Sequence, residues 1–197
     1  GVTKLRYGTL LCAALAYLMI KQRDAVGLAV FDERINTMIP HRSVRRQLFH
    51  LMKTLGETVP GAKTEISGTL PKMAERIRSN ALIVPVSDLF DEPSRIINGL
   101  KHFRHRGHEM IVFHLLDPME LSLDYKGEVR FVDLETGEKL RSRPWLVKKE
   151  YRREVGLWAA ELERSSKENG IDYNLITTDT PFDKALFSYL SKRQRMR

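Results

Sequence analysis

Residues 81–88 read Ala81-Leu82-Ile83-Val84-Pro85-Val86-Ser87-Asp88, an apolar run that stops on an acid. In a parallel sheet buried on both faces the strands read as continuous apolar runs, and ligands gather outside their carboxyl ends. The run is therefore expected to be a buried strand of an α/β sheet, with Asp88 at the binding edge. One helix upstream, the loop PGAKTE carries Thr64. A hard cation such as Mg²⁺ takes oxygen ligands, keeps several waters and uses one or two carboxylates. A hydroxyl at Thr64 and a carboxylate at Asp88 could supply part of such a shell. The plainer reading stays open, in which Thr64 caps the next helix and Asp88 caps a helix or satisfies loop amides.

The same pattern recurs downstream. A helix is expected from about Pro93 to Arg106, closed by Gly107, then a strand from Glu109 to Leu116 with Asp117 at its end. Strands alternating with helices imply right-handed crossovers in a parallel sheet. Upstream, Leu5, Leu10, Leu11, Ala14, Leu15 and Leu18 predict a first helix ending near Lys21 and Gln22, apolar almost all round and so deeply buried. AVGLAVF, from Ala25 to Phe31, and Ile35 to Ile39 read as an edge hairpin. After Pro40 a basic amphipathic helix is expected through Leu48, Leu51, Met52 and Leu55, with Arg42, Arg45 and Arg46 in its first turns. Their charge opposes the helix dipole there, which suits either an outside anion or plain solvation. Another helix is expected from Ile66 to Ile77. Between Met119 and Pro144 the period shifts to two, as in a small β-hairpin insert with Thr136 and Gly137 at its turn. A long helix through Tyr151, Trp158 and Leu162, a strand from Tyr173 to Ile176 and a helix from Phe182 to Leu190 complete the pattern, before a basic, solvated tail.

The 197 residues suffice for one well-buried domain. The single cysteine, Cys12, excludes an internal disulfide and reads as a small core residue in a reducing compartment, which points to the cytoplasm. The apolar stretch from Leu10 to Ile20 falls short of the roughly 20 residues of a membrane helix. The net charge of +8 permits nucleic acid or an acidic partner, but aromatics do not interleave with the arginines as single-strand binding requires. His102, His105 and His108 are spaced by three, yet Gly107 breaks the helix before the last ring, so zinc is not expected. Asp88, Asp91 and Asp117 near adjacent strand ends keep a metal-dependent nuclease or phosphatase as the rival reading. No phosphate-loop, dinucleotide or nucleophile-elbow motif is present in the sequence.

Taken in order, KLRYGTLLCAALAYLMIKQRDAVGLAVFDERI, PGAKTEISGTL, ALIVPVSDLFDEP, GHEMIVFHLLDPME, VRFVDLETGEKL and IDYNLITTDTPFDKALFSYL span nearly the whole chain. Together they resemble the bacterial domain-of-unknown-function 58 family. The resemblance implies a single von Willebrand factor A-like domain over residues 1–197, with the hairpin insert at about 119–147. The implied fold is a Rossmann-like three-layer sandwich: a mostly parallel sheet, an antiparallel edge strand, and a first central strand expected upstream of Gly1. It also implies a metal-ion-dependent adhesion site in which Thr64 matches the threonine loop and Asp88 the strand-end aspartate. The remaining ligands, a D-x-S-x-S segment, are expected before Gly1, and the ion would be weakly held Mg²⁺ or Mn²⁺. The implied role is a binding module, not an enzyme, working with a MoxR-type AAA ATPase in chaperone-like maturation of other proteins. Partner contacts are expected at Arg42, Arg45 and Arg46.

Overall fold

A computed structural model describes residues 1–61, 66–125, 127–132 and 139–195. In chain order the elements are α1 (Lys4–Lys21), β1 (Val26–Phe31), β2 (Ile35–Arg42), α2 (Arg45–Glu57), α3 (Ile66–Arg76), β3 (Leu82–Ile83), β4 (Val86–Ser87), α4 (Pro93–His105), β5 (Glu109–Leu116), α5 (Pro118–Ser122), β6 (Val129–Val132), β7 (Lys139–Ser142), α6 (Pro144–Glu168), β8 (Asp172–Thr177) and α7 (Phe182–Arg195).

The architecture is organised by β5. Every residue from Met110 to Leu116 is buried, and β5 pairs in parallel with β8 on one side and with β3 and β4 on the other. Successive side chains of a strand point to opposite faces. Met110 and Val112 accordingly enter one core with Leu70, Met73 and Ala74 of α3, Ile96, Leu100 and Phe103 of α4, and Leu162 of α6. Ile111, Phe113 and Leu115 enter the other, with Tyr7, Leu11 and Leu15 of α1 and Ala185 of α7. Helices therefore cover both faces of a parallel sheet, which makes the fold a Rossmann-like α/β sandwich.

The run from Ala81 to Asp88 departs from expectation. It is not one buried strand: of its residues only Pro85 is fully buried, and pairing to β5 lapses between β3 and β4. The Phe113 N–H donates to the Pro85 carbonyl at 2.9 Å, but proline has no N–H to return to β5, so the ladder breaks there. The long continuous strand of the sheet is the second apolar run, not the first.

Helix α1 ends where its periodicity predicts but is buried on one face only. Tyr7, Leu11 and Leu15, four apart, face the sheet, whereas Leu10 and Tyr17 are 44% and 47% exposed. The apolar residues elsewhere on the helix are not evidence of burial all round. Near its C-terminal end Ala16 and Ile20 join Ile39 and Leu51 in a third, small core.

That third core holds the antiparallel β1–β2 hairpin and α2. The hairpin is a sheet of its own. β2 runs through Pro40 as far as Arg42, so Arg42 lies on a strand and only Arg45 and Arg46 open the helix. Pro40 is tolerated because the strand is an edge. Gln47, Leu51 and Leu55 form the buried stripe of α2, and the Gln47 side-chain amide donates to the carbonyls of Val26 at 3.1 Å and Pro40 at 2.8 Å, pinning the helix across both strands. At the other end of the hairpin the buried Thr69 hydroxyl donates to the Asp32 carbonyl at 3.1 Å, tying the turn to α3.

Gly107, at φ 81°, closes α4 as its glycine predicts. β6 and β7 form the expected antiparallel insert, whose turn, with Thr136 and Gly137, lies outside the described residues. A short α5 precedes the insert, α6 begins at Pro144, and α7 continues past Leu190 into what the sequence suggests is a frayed tail. Among the described residues no helix is long and apolar enough to cross a membrane.

Candidate functional site at the carboxyl edge of the sheet

The carboxyl ends of β4 and β5 meet the first turn of α1 and the start of α5. Asp88 follows β4 directly. The next residue, Leu89, adopts φ 49°, a left-handed conformation that costs a non-glycine residue on the order of 1 kcal/mol. Its side chain is only 2% exposed, and its N–H donates to the Ser87 hydroxyl at 3.1 Å, so burial and this bond hold the turn that presents Asp88.

Lys4 reaches this edge from α1. Its Nζ lies 2.9 Å from Asp88 Oδ2 and 2.6 Å from Glu120 Oε1. All three side chains are partly exposed, at 31%, 34% and 40%. Partial burial pulls the Lys4 pKa down, but the hydrogen bonds to Glu120 and Asp88 outweigh it and leave the ammonium above its ordinary range. Glu120 is itself held: its second carboxylate oxygen accepts from the Asp117 N–H at 2.8 Å, while the Asp117 carboxylate accepts from the Met119 N–H at 2.8 Å. This reciprocal capping box fixes α5. The Tyr151 hydroxyl of α6 donates to the Glu120 carbonyl at 2.7 Å, and the Thr178 hydroxyl donates to Asp117 at 3.3 Å.

Below this surface lies His114 of β5, fully buried and in register with Ser87 of β4. Its Nδ1 meets the Tyr173 hydroxyl, and the edge of the ring contacts Trp158 with centroids 4.8 Å apart. Burial pushes its pKa down to about 4, so the ring is neutral, and burial likewise raises the Tyr173 phenol. A neutral imidazole accepting at Nδ1 matches a phenol that keeps its proton.

Of the residues singled out from sequence, Asp88 stands at the expected edge and Thr64 lies outside the described residues. Asp117 is committed to capping α5, and the Asp91 carboxylate accepts from the Glu92 N–H at 2.7 Å. Among the described residues no three His, Cys, Asp or Glu side chains come together as a metal site would need. His102 and His105 are exposed on α4, while His108 is buried and accepts from the Ala81 N–H at 3.2 Å. Arg42, Arg45 and Arg46 belong to a different region, because α2 packs against Ala16 and Ile20 of α1 while Lys4 contacts Asp88. At ~1.5 Å per helical residue, Lys4 and Ile20 lie about 24 Å apart along α1.

Lys4 carries no local signal, since its contacts span 84 and 116 residues of sequence, whereas Glu120 stands at the third position after the cap in the capping-box pattern Asp117-Pro118-Met119-Glu120, which marks the start of α5 but not the pairing with Lys4. His114 had one: it is the sole polar residue inside the apolar run from Met110 to Leu116. The oxygen donors at Asp88, Glu120 and Ser87 suit a hard cation, and the Lys4 ammonium marks a position where positive charge is already favoured. Any metal ion using Asp88 must compete with Lys4.

The sequence profile of the family described as Protein of unknown function DUF58 matches residues 2–160. No curated protein matches the chain. Among solved structures, the crystal structure of the conserved hypothetical protein BatB from Bacteroides thetaiotaomicron is similar, with a TM-score of 0.56 and 14% identity over 97% of this chain and 88% of that one. At this identity the likeness shows the fold alone.

Proposed function

The chain belongs to the DUF58 family, and from that premise we propose that it is a protein-interaction module of the von Willebrand factor A type, not an enzyme. Its partner contact is the carboxyl edge of the sheet, as a metal-ion-dependent adhesion site would be, in the cytoplasm and with a MoxR-type AAA ATPase as the partner. The observation that carries this reading is Asp88, presented by a strained turn at the end of β4 with a cation, Lys4 Nζ, already 2.9 Å from its carboxylate. Mg²⁺ or Mn²⁺ bound at Asp88 would exchange a single charge for a double one and leave open positions for a partner's carboxylate. Affinity would be weak, because Lys4 has to be displaced. Thr64 and residues upstream of Gly1 would supply further ligands.

Calorimetric titration of the full-length protein with Mn²⁺, alongside Asp88→Ala, tests the ion. Weak binding by the wild type and none by the variant is expected, whereas equal affinity removes Asp88 from the shell. Retention of a MoxR-type ATPase should weaken with EDTA and with Asp88→Ala. Metal-dependent cleavage of DNA or RNA that is lost in Asp88→Ala would replace this reading with the nuclease.

A further inference from the structure

From Ile35 to Gly56 the chain contains no aspartate or glutamate, while Arg42, Arg45, Arg46 and Lys53 all fall within it. All four side chains are exposed. Among the described residues none of the three arginines has a carboxylate within ion-pairing distance, and Lys53 reaches only Glu57, at 3.9 Å. The N-terminus of α2 deepens the imbalance: Val44 at the cap gives no side-chain hydrogen bond and the first turn has no acid. Positive side chains therefore sit beside the positive end of the helix dipole. Phe49, 76% exposed, projects from this face, with Met52 beside it at 40%. Phe49 lies one helical turn beyond Arg45 and Arg46 and one turn before Lys53, so a phenyl ring stands inside a collar of cations.

We infer that the outward face of α2 docks on an anionic phospholipid surface, with Phe49 entering the headgroup layer and Arg42, Arg45, Arg46 and Lys53 meeting lipid phosphates and carboxylates. Charge complementarity names the occupant class: among the described residues no carboxylate answers the three arginines, and an external polyanion would supply that counter-charge. The shape selects within that class. The face is the convex side of a helix whose own apolar stripe, Leu51 and Leu55, is already used inside. Its side chains project outward from a helix surface, and a flat, deformable layer accepts a projecting ring and spread cations. This contact is independent of the strand-end site, at the other end of α1.

The test uses the intact protein and vesicles of phosphatidylcholine with or without a phosphatidylserine fraction. Co-sedimentation should occur with phosphatidylserine, weaken sharply with added salt, and be absent with phosphatidylcholine alone. Each basic residue at an anionic surface is worth about fivefold in partitioning, so Arg45→Glu with Arg46→Glu should abolish detectable binding. Phe49→Ser should weaken it severalfold while leaving the melting temperature unchanged. In Phe49→Trp, fluorescence beyond that of the wild type should shift to the blue on these vesicles and be quenched by brominated acyl chains. Failure of the wild type to bind, binding insensitive to the double reversal, or equal binding to phosphatidylcholine would overturn the inference. Retention on immobilised polyglutamate without vesicle binding would also overturn it, and would assign the face to an acidic polypeptide.

Discussion

The two ends of α1 handle charge in opposite ways. At its start Lys4 joins Asp88 and Glu120, and Glu120 in turn caps α5, so acids at the sheet edge are answered by a base from within the chain. At its far end α2 carries arginines that no described carboxylate answers. Internal pairing ties elements together, while unanswered charge costs stability and stays available to an outside partner. Charge changes at the two ends should therefore have opposite signs.

The common scaffold gives the largest effect. Leu11 is fully buried between α1 and β5, so Leu11→Ala should cost about 2–5 kcal/mol in urea unfolding and disturb both ends together. A loss below 1 kcal/mol would mean that α1 is not the shared support. Next comes His114 beneath the acidic edge. Its pKa falls from 6.5 to about 4 on folding, so the unfolded chain binds the extra proton between these values and stability falls as pH drops through that window. The loss is on the order of 3 kcal/mol by pH 4, and His114→Gln should remove that part of the slope in melts from pH 7 to 4. A variant as acid-sensitive as the wild type would place the sensitivity elsewhere.

Lys4→Met attacks the internal pairing directly. These side chains are partly exposed, so the stability loss should be modest, about 1 kcal/mol at low salt. The sharper readout is the opposite movement of the ion: Mn²⁺ affinity should rise, because Asp88 and Glu120 are left without their own cation. A fall would show that Lys4 organises the site instead of competing for it. The smallest effect belongs to the basic end. Arg45→Glu with Arg46→Glu puts acids at the N-terminus of α2 and should stabilise by about 0.3–1 kcal/mol in thermal melts at low salt. Destabilisation would mean that the arginines are answered within the fold, and would erase the contrast.

The layer order was legible in the sequence because β5 is a long apolar run, and the helices between strands keep a strict period. Misreadings followed from counting apolar residues without their context. Ala81 to Asp88 reads as one buried strand, but one missing N–H at Pro85 interrupts it; α1 reads as apolar almost all round, but Leu10 and Tyr17 are exposed and the face carrying Tyr7, Leu11 and Leu15 covers the sheet. Asp88 was visible as an acid ending a strand. Its partners were not, since Lys4 and Glu120 are joined to it only by folding: nothing local distinguishes Lys4 from a surface charge, and the capping-box spacing of Asp117 and Glu120 marks a helix start without pointing to Asp88. The arginines were visible as a cluster, but it is the folding of α2 into the small core at the far end of α1, with Ala16, Ile20, Ile39 and Leu51, that separates them from Asp88.

The length of α1 also sets a spacing. A flexible tether between two contact points spends entropy each time both are engaged, and its effective concentration falls as the tether lengthens. A continuous helix of 18 residues avoids that loss, acting as a ruler that holds the Lys4 end and the α2 end at one separation. If each end has its own weak ligand, the two affinities combine only for surfaces whose sites match that span. Specificity then comes from distance as much as from either contact.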